Sequence, residues 1–149
     1  MNKDFITDDD NMLLEYVGSD TDVTIPDGVT DIFFEAFCGP AQITSVVIPG
    51  SILDVSPFVF ESHQTLKAVK LCEGVLSINV CAFNACKALE VIILPKSLEI
   101  IKMNALSNCP SLQKIYYSGS KESWKRIVKE PYWDDETFNY EIIFDADTD

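Results

Sequence analysis

The chain has 149 residues, 47% hydrophobic and 23% charged, with 24 acids against 11 lysines and arginines for a net charge of −13. That length suits one domain with a buried core, and no apolar run approaches the roughly 18 residues of a membrane helix. So acidic a balance excludes binding to nucleic acid through phosphate contacts.

In chain order, residues 1–22 hold seven acids and one lysine, and "MNKDFITDDD" reaches acid within four residues. It has no apolar segment of the kind a signal peptide requires. The chain as read is expected to be cytoplasmic, with a secreted or surface location as the alternative if a leader has been removed. Residues 23–112 are nearly balanced, with eight acids and five lysines; 113–129 is locally basic; and 130–149 holds eight acids and no base. Acidic ends are expected to keep the molecule soluble and monomeric, an acidic contact surface for a basic partner being the alternative.

From Val23 onward the chain lies on itself when shifted by 23 residues. Ile25, Ile48, Leu71, Leu94 and Tyr117 fall in one column, and Val23, Val46, Val69, Ile92 and Ile115 in another. Val29, Ile52, Val75 and Leu98 align, as do Ile32, Val55, Ile78 and Ile101. Phe37, Phe60, Phe83 and Leu106 form a further column, and Ile43, Leu66, Leu89 and Leu112 close the unit. The apolar spacing within a unit mixes a period of two with one of three or four. That suits a coil that bends round a core and builds a continuous apolar column by stacking like on like. The valine–isoleucine pair alternates as a short strand does. Pro26, Pro49 and Pro95 end the strands, because proline has no N–H to donate to a ladder. "EAFCGPAQI", "CAFNACKAL" and "NALSNCPSL" have the spacing of a short helical turn before the next strand.

These columns resemble the BspA-type leucine-rich repeats found in many bacterial proteins. The resemblance runs from about Val23 to Tyr117 in four units. It departs from the pattern in the second, where "PFVFESHQTL" brings Val59 and His63, and in the fourth, where Leu106 replaces the aromatic. "FITDDDNMLLEYVGSDTDVTIP" resembles the entry hairpin of such proteins, and "IYYSGSKESWKRI" the segment that often closes them. The resemblance implies one domain: a hairpin over 1–22, four repeats over 23–112, and a last strand with helix and strand over 113–149. The implied fold class is an α/β leucine-rich-repeat solenoid, a right-handed superhelix of short parallel strands with short helical or 3-10 turns, capped at both ends. It also implies a curved surface for recognising proteins or other macromolecules, although fold alone does not fix function.

After the last strand, Lys121–Lys129 spaces Trp124, Ile127 and Val128 for one helix face. Ser120 is expected to cap its start and Pro131 to stop it, with Trp124 covering the end of the core. Tyr140, Ile142 and Phe144 alternate as a final strand, and the residues beyond are expected to fray.

Chemistry is sparse. His63, the one histidine, sits in the column of Cys86 and Cys109 and is expected to be a satisfied, partly buried rung residue. The five cysteines, Cys38, Cys72, Cys81, Cys86 and Cys109, include no CxxC pair, so no zinc or redox motif is supported. Cys86 and Cys109 stack on adjacent rungs, where free buried thiols are favoured over a disulfide. The clusters Asp8-Asp9-Asp10 and Asp134-Asp135-Glu136 lack the pattern of a calcium loop. No catalytic residue, cofactor or metal is expected, and the chain is not read as an enzyme.

A partner is expected on the outward strand positions. One outward column reads Thr24, Val47, Lys70, Ile93, Tyr116 and the other Asp22, Ser45, Ala68, Val91, Lys114. Water-facing strand positions are normally polar, so Val47, Val91, Ile93 and Tyr116, with Lys70 and Lys114 beside them, predict an apolar stripe that serves as a protein interface. The competing explanations are strand propensity alone or cover by the C-terminal segment. A protein partner is expected, with no nucleic acid and no membrane. The chain is expected to be a monomer, with weak homodimerisation as the alternative. The rival functional reading is a carbohydrate- or matrix-binding surface or adhesin module, for which Tyr132, Trp133 and Phe138 beside Asp134 and Asp135 are the second candidate. These aromatics are otherwise expected to pack the C-terminal end.

Overall fold

The computed structural model describes residues 2–149. The chain begins with β1 (Phe5–Thr7) and β2 (Met12–Tyr16), an antiparallel hairpin. It then alternates longer and shorter strands: β3 (Asp22–Thr24), β4 (Asp31–Ile32), β5 (Ser45–Ile48), β6 (Asp54–Val55), β7 (Ala68–Leu71) and β8 (Ser77–Ile78). It ends with β9 (Val91–Leu94), β10 (Ile100–Ile101), β11 (Lys114–Tyr117), α1 (Lys121–Arg126), β12 (Val128–Lys129) and β13 (Glu141–Ile143).

The longer strands stack into one parallel ladder of six, in the order β13-β11-β9-β7-β5-β3. Its register is the 23-residue period itself: Val23 pairs with Val46, Val46 with Val69, Val69 with Ile92, and Ile92 with Ile115. The last turn is longer because α1 lies within it, and Ile115 pairs with Ile142. The two inward columns read from the sequence are buried from Val23 to Tyr117. Each fully buried Val, Leu or Ile contributes about 1.5–3 kcal/mol, and no single unit has a second layer of its own to supply that burial.

The shorter strands form two ladders. One joins β1, β2 and β4, the other β6, β8, β10 and β12. No ladder joins β4 to β6, and among the described residues no backbone hydrogen bond links residues 30–38 to residues 53–62. The first and second coils are therefore unzipped along this flank, whereas later coils are tied together. Corner serines add to those ties elsewhere: Ser51 Oγ donates to the Val29 carbonyl at 2.7 Å, and Ser97 Oγ to that of Val75 at 2.8 Å.

Between each shorter strand and the next longer one the sequence predicts a short helical turn. The structure has tight turns there instead, and the one helix among the described residues is α1. The reason lies in residues with positive φ at fixed places in the unit: Phe58, Cys81 and Asn104, then Ser62, Ala85 and Asn108. They point amides along the solenoid axis, so that Phe58 N–H donates to Val80 and Cys81 N–H to Met103, both at 3.1 Å. Amides committed to the next coil cannot also close a helix.

Aromatic rings run through the core. Tyr16, Phe37, Phe60 and Phe83 follow one another with centroids 5.9, 5.2 and 5.5 Å apart. At the other end Trp124 meets Tyr117 at 5.2 Å and Trp133 at 6.2 Å. Ser120 starts α1 as expected, its side chain accepting from the Ser123 amide at 3.1 Å. The helix stops sooner than its apolar spacing predicts. Ile127 turns extended, and Val128, expected on the helix face, is 57% exposed and pairs with Ile100. Two successive β-branched residues favour strand over helix, and the β10 edge offers partners. Beyond β13 the chain stays tied to the last coil as far as Ala146, whose N–H donates to the Tyr117 carbonyl at 3.0 Å.

Candidate functional site: two surfaces of the coil

On the six-stranded ladder the predicted stripe is assembled. Val47, Lys70, Ile93 and Tyr116 lie in one outward column, and Val91 and Lys114 in the neighbouring one. All six are half-buried, each shielded by its neighbours one rung away. The column continues to Ile143, which pairs with Tyr116 and adds an apolar rung beyond the last one predicted. Lys114 reaches Glu141 on that edge strand at 4.0 Å, the one ion pair among the described residues, and lies 6.0 Å from the Tyr116 ring. The residues after β13 line a cleft with the stripe's Lys70 and with Cys72, Lys96 and Ser118 at the strands' C-terminal ends.

On the other ladders, the break between β4 and β6 opens a groove of about 620 Å³. Phe33 and Phe34, packed edge to face at 4.7 Å, form one wall. Leu53 and Phe58, 55% and 46% exposed, form the other. Asp31 and Asp54 are part of its lining. Asp31 accepts from Ser56 Oγ; Asp54 accepts from Ser77 Oγ and, at 2.9 Å, from Asn79 Nδ2. Hydroxyl and amide donors leave both negative charges in place.

Because chain order is axial order in a solenoid, the groove lies in an acidic stretch, while the stripe runs from that stretch through a basic one into the C-terminal turn, whose residues 130–149 hold eight acids and no base. Residues 4–66 contain twelve acids and no lysine or arginine, while residues 67–129 contain ten bases and four acids.

The other sequence candidates scatter. His63 leans on Phe60 at 6.1 Å, but its buried Nδ1 has no hydrogen-bond partner, contrary to the satisfied residue expected. Burial lowers its pKa, since an uncompensated charge there is costly. Cys86 and Cys109 thiols donate to the carbonyls of Phe60 and Phe83 at 3.1 and 3.2 Å. Burial pushes both thiols up, that of Cys109 to about 11, which makes them inert as nucleophiles. Thr137 takes the equivalent place on the last turn, donating to Leu106 at 2.6 Å and accepting from the Cys109 amide at 3.0 Å. Of the C-terminal aromatics, Trp133 packs against Trp124 and Tyr140, while Tyr132 and Phe138 are 64% and 61% exposed. No group of three or more His, Cys, Asp or Glu among the described residues is placed to hold a metal ion. No helix among them is long and apolar enough to cross a membrane.

A family model for the BspA type leucine rich repeat region matches residues 13–128 in six copies. The chain belongs to this family. The six copies extend to either side of the four units read from the columns. The fold is also that of solved leucine-rich-repeat structures. One, from Bacteroides ovatus, is 23% identical with a TM-score of 0.57, covering 90% of this chain and 32% of its own. A leucine rich cell surface protein from Faecalibacterium prausnitzii is 18% identical with a TM-score of 0.51, covering 99% of this chain and 55% of its own. A leucine-rich-repeat protein from Eubacterium ventriosum is 13% identical with a TM-score of 0.52, covering 91% and 50%. The chain thus spans between about a third and about half of these structures. No curated protein sequence matches it.

In this repeat the groove is the feature that sequence reading misses. Its outward positions come from strands of two residues, too short to show alternation, and its walls come from turns. The available signal was the run Phe33-Phe34, with Pro57 one unit after Phe34 and Phe58 next to it, apolar residues that the core columns leave unassigned.

Proposed function

We propose that this chain is a non-catalytic recognition module that binds a protein through the outward face of its six-stranded ladder. The observation that carries the reading is the column Thr24, Val47, Lys70, Ile93, Tyr116 and Ile143, apolar at four of six rungs where strands facing water are normally polar. Lys70 and Lys114 stand beside its apolar rungs, so the matching partner surface is apolar with acidic side chains placed for those two lysines. The leucine-rich-repeat fold supports the reading because its stacked strands present a broad, rigid face.

The test is affinity capture with the wild-type chain beside Ile93→Asp and Tyr116→Ala, followed by titration of the purified captured protein. The reading expects a partner that both variants weaken by about tenfold or more. Unchanged binding to both variants refutes it. A second reading, a carbohydrate- or matrix-binding surface, draws on the exposed rings of Tyr132 and Phe138 and on one neighbour's being a cell surface protein. A glycan screen that moves Trp133 fluorescence favours that reading; a silent screen removes it.

A further inference from the structure

The strand-face reading leaves the groove between the first and second coils unexplained, and three observations single it out. It is a concave site of about 620 Å³ with aromatic and aliphatic walls, whereas isolated exposed apolar residues are ordinary. Its lining includes Asp31 and Asp54, one coil apart in the same flank of the unit, with no cation among the described residues near enough to form an ion pair. Finally, Phe58 takes φ 61, a conformation that disfavours bulky side chains, at the repeat position where the smaller Cys81 and Asn104 stand one and two units later. At 46% exposure Phe58 is not there to fill the core.

We propose that this groove docks a cationic, apolar segment of a partner protein: an arginine or lysine flanked by aromatic or long aliphatic side chains. The apolar side chains fill the space between Phe33 and Phe34 on one side and Leu53 and Phe58 on the other. The cationic head neutralises Asp31 and Asp54, and a guanidinium laid on the Phe34 or Phe58 ring gains a cation–π contact as well. A long basic side chain suits such a site because its methylene stem and its charge prefer different surroundings. The field of residues 4–66, twelve acids without a lysine or arginine, attracts such a segment and repels acidic peptides. The site is distinct from the strand face, lying on another flank of the coil.

Fluorescence anisotropy tests this with a fluorescein-labelled dodecapeptide of alternating arginine with leucine and phenylalanine. One control peptide carries glutamate for arginine, another serine for leucine and phenylalanine. Saturable binding of the first peptide alone is expected, weakening with added salt. Phe34→Ser, Asp54→Asn and Phe58→Asn are each expected to weaken it on the order of tenfold, while Phe138→Ser, which removes an exposed ring elsewhere, leaves it unchanged. Phe58→Asn is also expected to raise the melting temperature, a combination that a purely structural role for Phe58 does not produce. Equal binding of the serine peptide, indifference to the three groove variants, or no saturable binding overturns the proposal. Self-association abolished by Phe34→Ser in sedimentation equilibrium also overturns it, because the occupant would then be a second copy of the chain.

Discussion

The stripe of β5 to β13 and the groove beside β4 and β6 rest on the same core and differ in almost everything else. The stripe forms where the ladder is continuous, so its side chains are held one rung apart and half-buried by one another. The groove forms where a ladder is missing, so its rings are exposed, beside two carboxylates that no cation among the described residues pairs with. The difference shows how a repeat separates fold from surface. Inward columns must match from unit to unit for the core to stack, while outward positions are free to take any chemistry. Here one stretch of coil became acidic and aromatic, the other basic and β-branched.

The comparison breaks most severely if the shared core is opened. Phe83 is fully buried and stacked on Phe60 with an interplanar angle of 4°. Phe83→Ala should destabilise the chain by about 3–5 kcal/mol in chemical denaturation and abolish binding at both surfaces together. Next in size is Thr137→Val, which keeps the shape but leaves the buried Cys109 amide and Leu106 carbonyl without the hydroxyl. It should cost about 1–3 kcal/mol by the same measurement, and Thr137→Ser much less.

Smaller changes sharpen the contrast between the surfaces. Phe58→Asn should stabilise by about 1 kcal/mol, the strain of a left-handed residue being relieved. Phe34→Ser should change stability by no more than about 0.5 kcal/mol, as expected of an exposed residue outside the core. The smallest effect concerns pH. The His63 pKa is lowered from 6.5 by burial, so the unfolded chain binds the proton more readily than the folded one. The stability contributed by neutral His63 is complete above 6.5, starts to be lost below it, and is gone once pH has fallen through the folded value. His63→Cys, which copies the next two rungs, should flatten the melting temperature across that window; an unchanged slope would assign the effect to other groups.

The main ladder was legible because its register is the repeat period: Val23, Val46, Val69, Ile92 and Ile115 are a column in the sequence and a row of paired strands in space. The stripe followed from the same alignment, although Ile143 did not, since α1 lengthens the last turn and puts it out of phase. The turns were misread as helical because apolar spacing alone cannot show that Phe58, Cys81 and Asn104 have positive φ and send their amides to the next coil. The groove depends on hydrogen bonds that are not made between β4 and β6, and a column of residue types does not record a missing bond. His63 carried a signal of position but none of partnership, so its orphaned Nδ1 emerged only from the packing.

The measurement that bears most directly on the strand face is hydroxyl-radical footprinting of the chain alone and in complex with a protein captured by wild type but not by Ile93→Asp. If the outward column is the contact surface, Ile93, Tyr116 and Ile143 lose reactivity in the complex while Tyr132 and Phe138 keep theirs. Protection of Tyr132 and Phe138, with the strand face as reactive as before, would place recognition at the C-terminal turn and contradict the account.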